Sequence, residues 1–397
     1  MTKHVLIIPS WYKSKQTPLL GSFFEEQARG LINKGCKVSV LKLGFRSFSY
    51  SGEMLNEEYD DNGLVTLLKD VKALVPKFTK LNYYYYGLKS VKIVEDYIAK
   101  YGRPDIIHAH SVFYGGIASY YISKKVKIPF VITEHLTNFV AGSIINPFDI
   151  YFSEKVFRAS QKTILVSTSF KEELSKVLSI KEDNTTVIHN MVSPIFFQNR
   201  YEKKLKLDET IIFFSNAFLS ERKNHSLQIK SFAIFEKKFP NSKLLIGGGA
   251  TREIDVIYKN QLIDLSKSLG VYAKIEFLGD LSREDVKSHL NNCHVFLFTS
   301  FYETFGVVLI ESLAVGRPVI STDSKGPRDI VDSKNGILVR DFEETTYSRA
   351  MIEMIEKYTD YHQDEISKNC YLKFGEEHIT QKLLDVYETV IPSFSKR

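Results

Sequence analysis

The segment from His294 to Thr322 constrains the fold of this chain most strongly, because two apolar runs flank a helical pattern. Val295–Phe298 has the composition of a buried strand, and Val319–Ile320 lies in the second apolar run. Between them, residues 306–314 read as a helix that ends at Gly316. Strand, loop, helix and strand in this order form a parallel crossover unit, with the first loop at the carboxyl end of the sheet. The segment therefore predicts an α/β protein.

Two carboxylates and a glycine lie within this unit. Glu303 falls in the loop and Glu311 about two turns into the helix, and Gly306 between them lets a ligand approach the backbone. The start of the helix offers unpaired N–H groups and the positive end of the helix dipole, which suits a phosphate. Either glutamate alone is equally compatible with a solvated surface residue. The local pattern predicts an anion-binding turn and leaves the role of both glutamates open.

Length and composition limit the protein class. At 397 residues the chain exceeds the size at which one core keeps growing, so two domains are expected, and the net charge of +6 requires no nucleic acid. Cys36, Cys293 and Cys370 are too far apart in sequence to indicate a disulfide framework or a zinc site. No signal-peptide pattern and no apolar run of eighteen residues is found. We therefore expect a cytoplasmic protein.

Short apolar runs alternate with amphipathic stretches along both halves of the chain. The clearest runs are 5–8, 38–41, 105–110, 129–135, 163–167 and 186–190, followed by 211–214, 244–246, 275–279 and the segment described above. Such βαβ repetition predicts a doubly wound, Rossmann-like parallel sheet in each half. We expect one domain over 1–192, a second over 193–378, and a final helix over 379–397 that can cross back to the first domain. Two such domains facing each other would enclose a ligand cleft.

The same residues carry a family resemblance. Glu303 and Glu311, with the residues between them and 314–320 behind them, resemble the E-x7-E motif of the retaining glycosyltransferases of family 4, which have the GT-B fold. Other matches stand in the expected order, namely Gly21, the strands ending at 110 and 135, residues 187–190, Lys223–Asn224, the glycines at 247–249, and Gly326 before 335–336. The likeness covers nearly the whole chain. It implies an acceptor-binding first domain and a donor-binding second domain.

The resemblance implies catalytic roles for three side chains and a ribose contact for a fourth. Glu303 would bind hydroxyls of the donor sugar, and Lys223 would neutralise the leaving nucleoside diphosphate. His135 would line the cleft near the transferred sugar. Glu311 would accept hydrogen bonds from the ribose, since a carboxylate is an acceptor only.

Further donor contacts are implied at backbone and apolar positions. Phe305, Gly306 and Val307 would present N–H groups beside the sugar-binding glutamate. The loop at Gly21 would close over the phosphates, and Leu281 would meet the base.

The chain departs from the family pattern in two loops. Family members usually carry an arginine five or six residues before the lysine, where this sequence has Ala217 and Phe218. Arg222 would then supply the second positive charge beside Lys223. In the first loop, a single Gly21 replaces the commoner glycine pair.

Several features can also be explained by a purely structural role. The glycines at 247–249 lack the G-x-G-x-x-G spacing and predict a tight turn rather than a dinucleotide site. Strand-end histidines such as His108 and His110 are as compatible with structural hydrogen bonding as with function. Residues 69–103 contain eight Lys or Arg against three Asp or Glu, interleaved with aromatic residues. This stretch is either a solvated face or a docking surface for an anionic membrane.

We therefore predict a metal-independent, retaining glycosyltransferase without a cofactor. It would move a hexose-type sugar from a nucleotide sugar, with UDP favoured, to a glycan or lipid-linked acceptor in cell-surface polysaccharide synthesis. It would work in the cytoplasm or at the inner face of the membrane. The main alternative is a GT-B-fold nucleotide-sugar epimerase. An inactive nucleotide-sugar-binding module and a dinucleotide oxidoreductase are further alternatives, and the missing glycine fingerprint disfavours the latter.

Overall fold

The computed structural model describes residues 2–14, 20–139, 141–144, 146–206 and 208–395, which form two compact units. Unit 1 comprises Met1–Met191 together with Glu376–Arg397, and unit 2 comprises Val192–Gly375. The chain thus leaves unit 1 once and returns to it. The divisions expected from the sequence stood at 192 and 378.

Unit 1 is built on a sheet of eight strands. They are β1 (His4–Pro9), β2 (Lys37–Arg46), β3 (Asn56–Asp61), β4 (Leu64–Lys72), β5 (Ile106–His110), β6 (Phe130–Glu134), β7 (Lys162–Leu165) and β8 (Thr185–Val187). Their order in the sheet is β3-β4-β2-β1-β5-β6-β7-β8. β1, β5 and β6 are buried along their whole length, although β5 and β6 end in polar side chains.

The hairpin β3–β4 departs from the predicted all-parallel pattern. β3 runs antiparallel to β4 at the edge of the sheet, and the two are joined at Asn62 and Gly63, which both have positive φ. An Asn-Gly pair with this geometry forms a two-residue hairpin turn. No strand was predicted over these residues, because an edge strand with charged residues lacks an apolar run.

Five α-helices accompany this sheet in the described ranges before residue 192. They are α1 (Ser22–Asn33), α2 (Thr79–Tyr101), α3 (Ile117–Val126), α4 (Pro147–Ala159) and α5 (Thr168–Val177). The four tyrosines at 83–86 belong to α2, where Tyr83 and Tyr86 are buried and Tyr84 is exposed.

The described residues of unit 2 form a parallel sheet of six strands, together with six α-helices. The strands are β9 (Ile211–Asn216), β10 (Ser242–Gly247), β11 (Ile275–Gly279), β12 (Val295–Phe298), β13 (Val319–Thr322) and β14 (Gly336–Val339), in the order β11-β10-β9-β12-β13-β14. The helices are α6 (His225–Glu236), α7 (Glu253–Ser268), α8 (Arg283–Asn292), α9 (Val307–Val315), α10 (Glu344–Glu356) and α11 (Gln363–Phe374). The strand order reverses between β9 and β12, and open α/β sheets bind ligands beside such a switch point.

The last helix, α12 (Glu376–Ser395), returns the chain to unit 1. Ile379, Leu383 and Tyr387 are fully buried in the core of that unit. A side chain at Gly30 of α1 would come within 2.5 Å of Thr380 Oγ1, so the missing side chain lets the two helices approach. Along the described part of the chain, none of the helices is both long and apolar enough to span a bilayer.

Candidate active site

The predicted donor residues of unit 2 lie on the loops that follow β9 and β12. Lys223 and Arg222 lie in the first loop, and Glu303 and Gly306 in the second. These two strands are neighbours at the point where the strand order reverses. The carboxyl ends of parallel strands lie at one edge of a sheet, so the topology brings both loops together.

Glu303 forms ion pairs with both cations. Its Oε1 accepts a hydrogen bond from Arg222 Nη1 at 2.7 Å and another from Lys223 Nζ. Arg222 Nη1 also donates to the carbonyl of Tyr302 at 2.9 Å. The Lys223 and Glu303 side chains are 15% and 12% exposed, whereas that of Arg222 is 38% exposed. Arg222 and Lys223 thus contact the same carboxylate, and the replacement of the missing arginine by Arg222 stays a prediction.

Burial and the ion pairs act in opposite directions on this carboxyl. Burial raises the pKa of Glu303, but the charges of Lys223 and Arg222 outweigh it and hold its pKa below the usual value. Burial lowers the pKa of Lys223, and Glu303 opposes that shift. The carboxylate is therefore ionised at neutral pH and keeps the two positive charges in place.

A buried hydrogen-bond chain fixes the backbone of the lysine loop. Ser215 Oγ donates to Gln228 Oε1 at 2.8 Å, Gln228 Nε2 donates to Thr299 Oγ1 at 2.9 Å, and Thr299 Oγ1 donates to the carbonyl of Lys223 at 3.0 Å. The N–H of Phe301 also donates to the carbonyl of Arg222 at 2.9 Å. No local sequence pattern predicts this network, because its members lie on β9, on α6 and in the two loops that follow β9 and β12.

The loop carrying Glu303 is also held from its other side. The N–H of Glu303 donates to the carbonyl of Ser324, and the N–H of Gly326 donates to the carbonyl of Glu303, both at 3.0 Å. A Cβ at Gly326 would lie 2.4 Å from the backbone nitrogen of Phe305. A glycine at 326 is therefore required for this close approach of two loops.

Helix α9 begins beside Glu303. Gly306 caps it with a φ of 119°, a conformation that favours glycine. The first N–H groups of the helix, including that of Val307, have no acceptor within the helix and can bind an anion. Phe305 is buried and packs against Phe374 at 5.7 Å between ring centroids, which anchors the turn.

Glu311 is buried on α9 and contacts an arginine that the sequence analysis did not identify. Arg283 Nη2 donates to Glu311 Oε1 at 3.3 Å, and the same guanidinium lies 5.3 Å from the ring centroid of Phe196. Burial raises the pKa of Glu311, and the charge of Arg283 opposes the shift. Arg283 had no sequence signal, since its partner is 28 positions away on a different helix.

Leu281 follows β11 and approaches the end of β10. A side chain at Gly247 would come within 2.6 Å of Leu281 Cδ1, and one at Gly248 would meet the carbonyl of Ala217 at 1.8 Å. Gly248 has a φ of 132°, and the glycines at 247–249 let the end of β10 approach the loop after β9 closely. Phe218, where family members usually have arginine, is 61% exposed.

The predicted site residues of unit 1 lie in a row of buried histidines and the loop that packs on it. His110 stacks on His108 at 4.3 Å between ring centroids, and its Nδ1 lies 3.1 Å from His135 Nε2. Burial lowers the pKa of His135 and of His108 to about 3. His135 is 9% exposed and packs against Phe23 and Phe24. The row consists of neutral imidazoles at neutral pH.

Gly21 caps α1 with a φ of 73°. A side chain at Gly21 would lie 2.9 Å from Phe24 and 3.3 Å from Trp11. Within the described ranges, no group of three or more His, Cys, Asp or Glu side chains has an arrangement that would hold a metal ion.

Two family models match consecutive parts of the chain. The one described as "Glycosyltransferase Family 4" matches residues 20–195, and the one described as "Glycosyl transferases group 1" matches residues 196–372. The two matches meet where the chain passes from unit 1 to unit 2.

Individual relatives agree with the family models. The chain is 28% identical over 243 residues to the uncharacterized glycosyltransferase MJ1607 of Methanocaldococcus jannaschii, a match that spans 58% of this chain and 60% of that protein. It is 33% identical over 142 residues to the human GDP-Man:Man(3)GlcNAc(2)-PP-Dol alpha-1,2-mannosyltransferase, or 34% of this chain and 28% of that protein. HepE from Anabaena, solved with UDP and glucose, superposes with a TM-score of 0.72 at 15% identity, covering 98% of this chain and all of HepE. The chain belongs to glycosyltransferase family 4 and has the GT-B fold.

Proposed function

We propose that this protein transfers a hexose-type sugar from a nucleotide sugar to a hydroxyl group of a glycan or lipid-linked acceptor, with retention of anomeric configuration, in cell-surface polysaccharide synthesis. Unit 2 binds the donor and unit 1 the acceptor. The observation that carries the proposal is the contact of Glu303 with Lys223 and Arg222 beside the start of α9.

The cluster suits the departure of a nucleoside diphosphate. Lys223 and Arg222 bind the diphosphate and stabilise the charge that develops on it, together with the N–H groups at the start of α9. When the diphosphate binds Lys223 and Arg222, the Glu303 carboxylate accepts hydrogen bonds from the sugar hydroxyls. This exchange explains why one carboxylate contacts both positive side chains.

Group transfer then proceeds at the anomeric carbon. The acceptor oxygen forms a bond to this carbon while the bond to the phosphate oxygen breaks. The acceptor proton moves to that phosphate oxygen. The diphosphate therefore leaves from the same face of the sugar on which the acceptor arrives. The cations and helix N–H groups neutralise the leaving group in the role that a divalent metal has in other transferases, and we propose that no metal is needed.

Glu311 binds the ribose of the donor. It is buried on α9, and Arg283 orients its carboxylate. Leu281, which lies close to Gly247, packs against the base. We favour UDP as the nucleotide, in line with the UDP present in the HepE structure.

We also propose that residues 69–103 dock on an anionic membrane. Their exposed apolar side chains are Leu74, Phe78, Leu81, Tyr84 and Leu88, each at least 42% exposed. Leu81, Tyr84 and Leu88 share one face of α2 by their spacing, and exposed lysines at 72, 77, 80, 89 and 92 accompany them. Three buried, unpaired cysteines fit a reducing compartment, so this face would meet the cytoplasmic leaflet.

The test is NMR of the purified protein with UDP-glucose, UDP-galactose, UDP-N-acetylglucosamine and GDP-mannose, one donor at a time. The proposal predicts slow release of free sugar and nucleoside diphosphate from one donor, unchanged by EDTA. A product that keeps its nucleotide with an altered sugar would favour the epimerase. If EDTA abolishes release, the metal-free step is wrong.

A further inference from the structure

Unit 1 contains a pocket at the carboxyl edge of its own sheet. The strand order reverses between β1 and β5, and the loops that follow β1, β5 and β6 line the pocket together with α2 and α4. Its volume is about 470 Å³, within the range of small-molecule sites. The lining residues with aromatic rings are Trp11, Tyr83, Phe113 and Tyr114.

These rings are held by further aromatic residues. Phe113 stacks on Phe139 with 6.2 Å between ring centroids and an interplanar angle of 13°. The ring of Tyr114 packs against those of Phe45 and Tyr86 at 5.7 Å and 5.9 Å. Rings supported in this way form rigid walls, which bind a flat apolar face with little loss of conformational entropy.

A strained turn presents two of the rings to the pocket. Ser111 and Tyr114 both have positive φ, 64° and 61°, which is costly for residues other than glycine. Ser10 Oγ donates to the carbonyl of His110 at 2.6 Å and accepts from the N–H of Gly115 at 3.1 Å. A Cβ at Gly115 would lie 2.5 Å from the carbonyl oxygen of Ile8. The turn is thus fixed in a conformation that its own sequence disfavours.

A buried carboxylate ties this turn to the loop after β6. Glu134 Oε2 accepts from the N–H of Val112 at 2.8 Å, and Oε1 accepts from the N–H groups of His135 and Leu136 at 2.8 Å and 2.9 Å. Leu136 itself lines the pocket. Two of the walls are therefore braced by one residue.

The polar groups of the pocket are hydrogen-bonding and anionic. Asp149 Oδ1 accepts a hydrogen bond from the hydroxyl of Tyr83 at 3.1 Å, and Asn138, Ser143 and Asn146 also line the pocket. Asp149 is the one charged residue among the described residues that line it. A carboxylate offers about four acceptor sites, so Asp149 can also accept hydrogen bonds from ligand hydroxyl or ammonium groups.

We propose that this pocket binds the acceptor and that the acceptor presents a neutral or amine-bearing sugar ring there. The aromatic walls pack on the apolar face of the ring, and Asp149 with the amide side chains binds its hydroxyl groups. A uronic acid or a phosphate is rejected, because Asp149 would repel it and the described lining residues include no cation to compensate. This inference rests on the proposed function, since it names the class of acceptor for the same transfer.

The single tryptophan of the chain lies in the wall of the pocket and provides the measurement. Methyl glucoside, methyl glucosaminide and methyl glucuronide are titrated while Trp11 fluorescence is recorded, and UDP binding is measured separately by calorimetry. The variants are Phe113→Ala, with the exposed Phe48→Ala as its control, and Asp149→Asn, with Glu154→Gln on the same helix as its control.

The proposal predicts a saturable response to the first two glycosides and at least about tenfold weaker binding of the glucuronide, a difference of 1.4 kcal/mol. Phe113→Ala weakens all binding about tenfold, and Asp149→Asn shrinks the gap between glucoside and glucuronide, whereas neither control changes either value. No response to any glycoside, or equal binding of the glucuronide, would overturn the proposal. A sugar response without UDP binding would support the pocket and contradict the proposed donor site.

Discussion

Glu303 is the residue on which the proposed donor-site chemistry depends. Its carboxylate contacts Lys223 and Arg222, and its backbone forms hydrogen bonds with the backbone of Ser324 and Gly326. The position of the carboxylate is thus set by the backbone, so ligand binding can exchange its partners without moving the loop. Glu311 differs, because it is buried on a helix and contacts Arg283 alone among the charged residues described.

Replacing the two glutamates should therefore have different effects. Glu303→Ala should keep UDP affinity or increase it, because both cations become available to the diphosphate, while turnover falls about 100-fold. Glu311→Ala should weaken UDP binding about tenfold through loss of a charged hydrogen bond. Calorimetry with UDP and the rate of UDP release measure the two quantities.

The exposed Glu365→Ala is the control for a general loss of charge, and Glu311→Gln separates charge from packing. Glu303→Ala and Glu311→Ala should both fold, as judged by thermal melting. Full activity in Glu303→Ala, or unchanged UDP affinity in Glu311→Ala, would contradict the assigned roles.

The buried histidines of unit 1 predict a pH dependence of stability. The pKa of His108 is lowered to about 3 by burial, whereas the unfolded chain has the ordinary value near 6.5. Between these values the unfolded state binds a proton that the folded state does not, so stability falls as the pH falls below about 6.5. Lowering the pH from 7 to about 5.5 should cost about 1 kcal/mol for this residue.

The comparison that isolates His108 is urea unfolding of the wild type and His108→Gln at both pH values. Trp11 fluorescence follows unit 1, because the tryptophan belongs to that unit. The variant should lose about 1 kcal/mol less than the wild type on acidification. An equal loss in both proteins would show that His108 is not held neutral.

At this scale, the candidate residues predicted from the sequence belong to segments that match the family pattern, whereas some of their partners were missed. Glu303, Gly306 and Glu311 were predicted because their spacing repeats a known motif. Arg283 and Gln228 were missed because their partners lie 28 and 71 positions away. No local pattern encodes such pairs.

Among the elements, α12 links the end of the chain to the histidine row. Tyr387 is fully buried, and its hydroxyl lies 2.6 Å from His108 Nδ1, while Thr133 Oγ1 lies 2.7 Å from His108 Nε2. His108 is therefore held from both sides, once by a neighbouring strand and once by the final helix. The spacing of apolar residues in this segment predicted a helix with an apolar face, but not the hydrogen bond between Tyr387 and His108.

Removing the tyrosine hydroxyl should destabilise unit 1. Tyr387→Phe leaves a ring nitrogen of His108 buried without its partner, which costs about 1–3 kcal/mol. Tyr84→Phe, on an exposed position, should change stability little. Urea unfolding followed by Trp11 fluorescence measures both, and equal stability of the two variants would mean that the hydrogen bond contributes nothing.

Element prediction worked best where strands are buried on both faces. β1 and β12 were predicted from continuous apolar runs, but the edge strand β3 was not predicted, because its charged residues lack an apolar pattern. The Asn62–Gly63 pair was the available signal for that hairpin.

In the molecule as a whole, two sheets of the same type carry unlike sites. Each sheet has a switch point, and in each case the loops beside it hold the candidate site. Unit 2 offers cations and helix N–H groups, which suit a diphosphate. The described residues that line the pocket of unit 1 offer aromatic rings and one carboxylate, which suit a sugar ring. The division of charge between the units supports donor binding in one and acceptor binding in the other.

Retaining transfer from a nucleotide sugar can be tested by proton NMR of the first product released from the preferred donor, for the wild type and for Lys223→Met. We expect free nucleoside diphosphate and a sugar that first appears with the anomeric configuration of the donor, at a rate about 100-fold lower in Lys223→Met. An inverted anomer, a product that keeps its nucleotide, or an undiminished rate in Lys223→Met would contradict it.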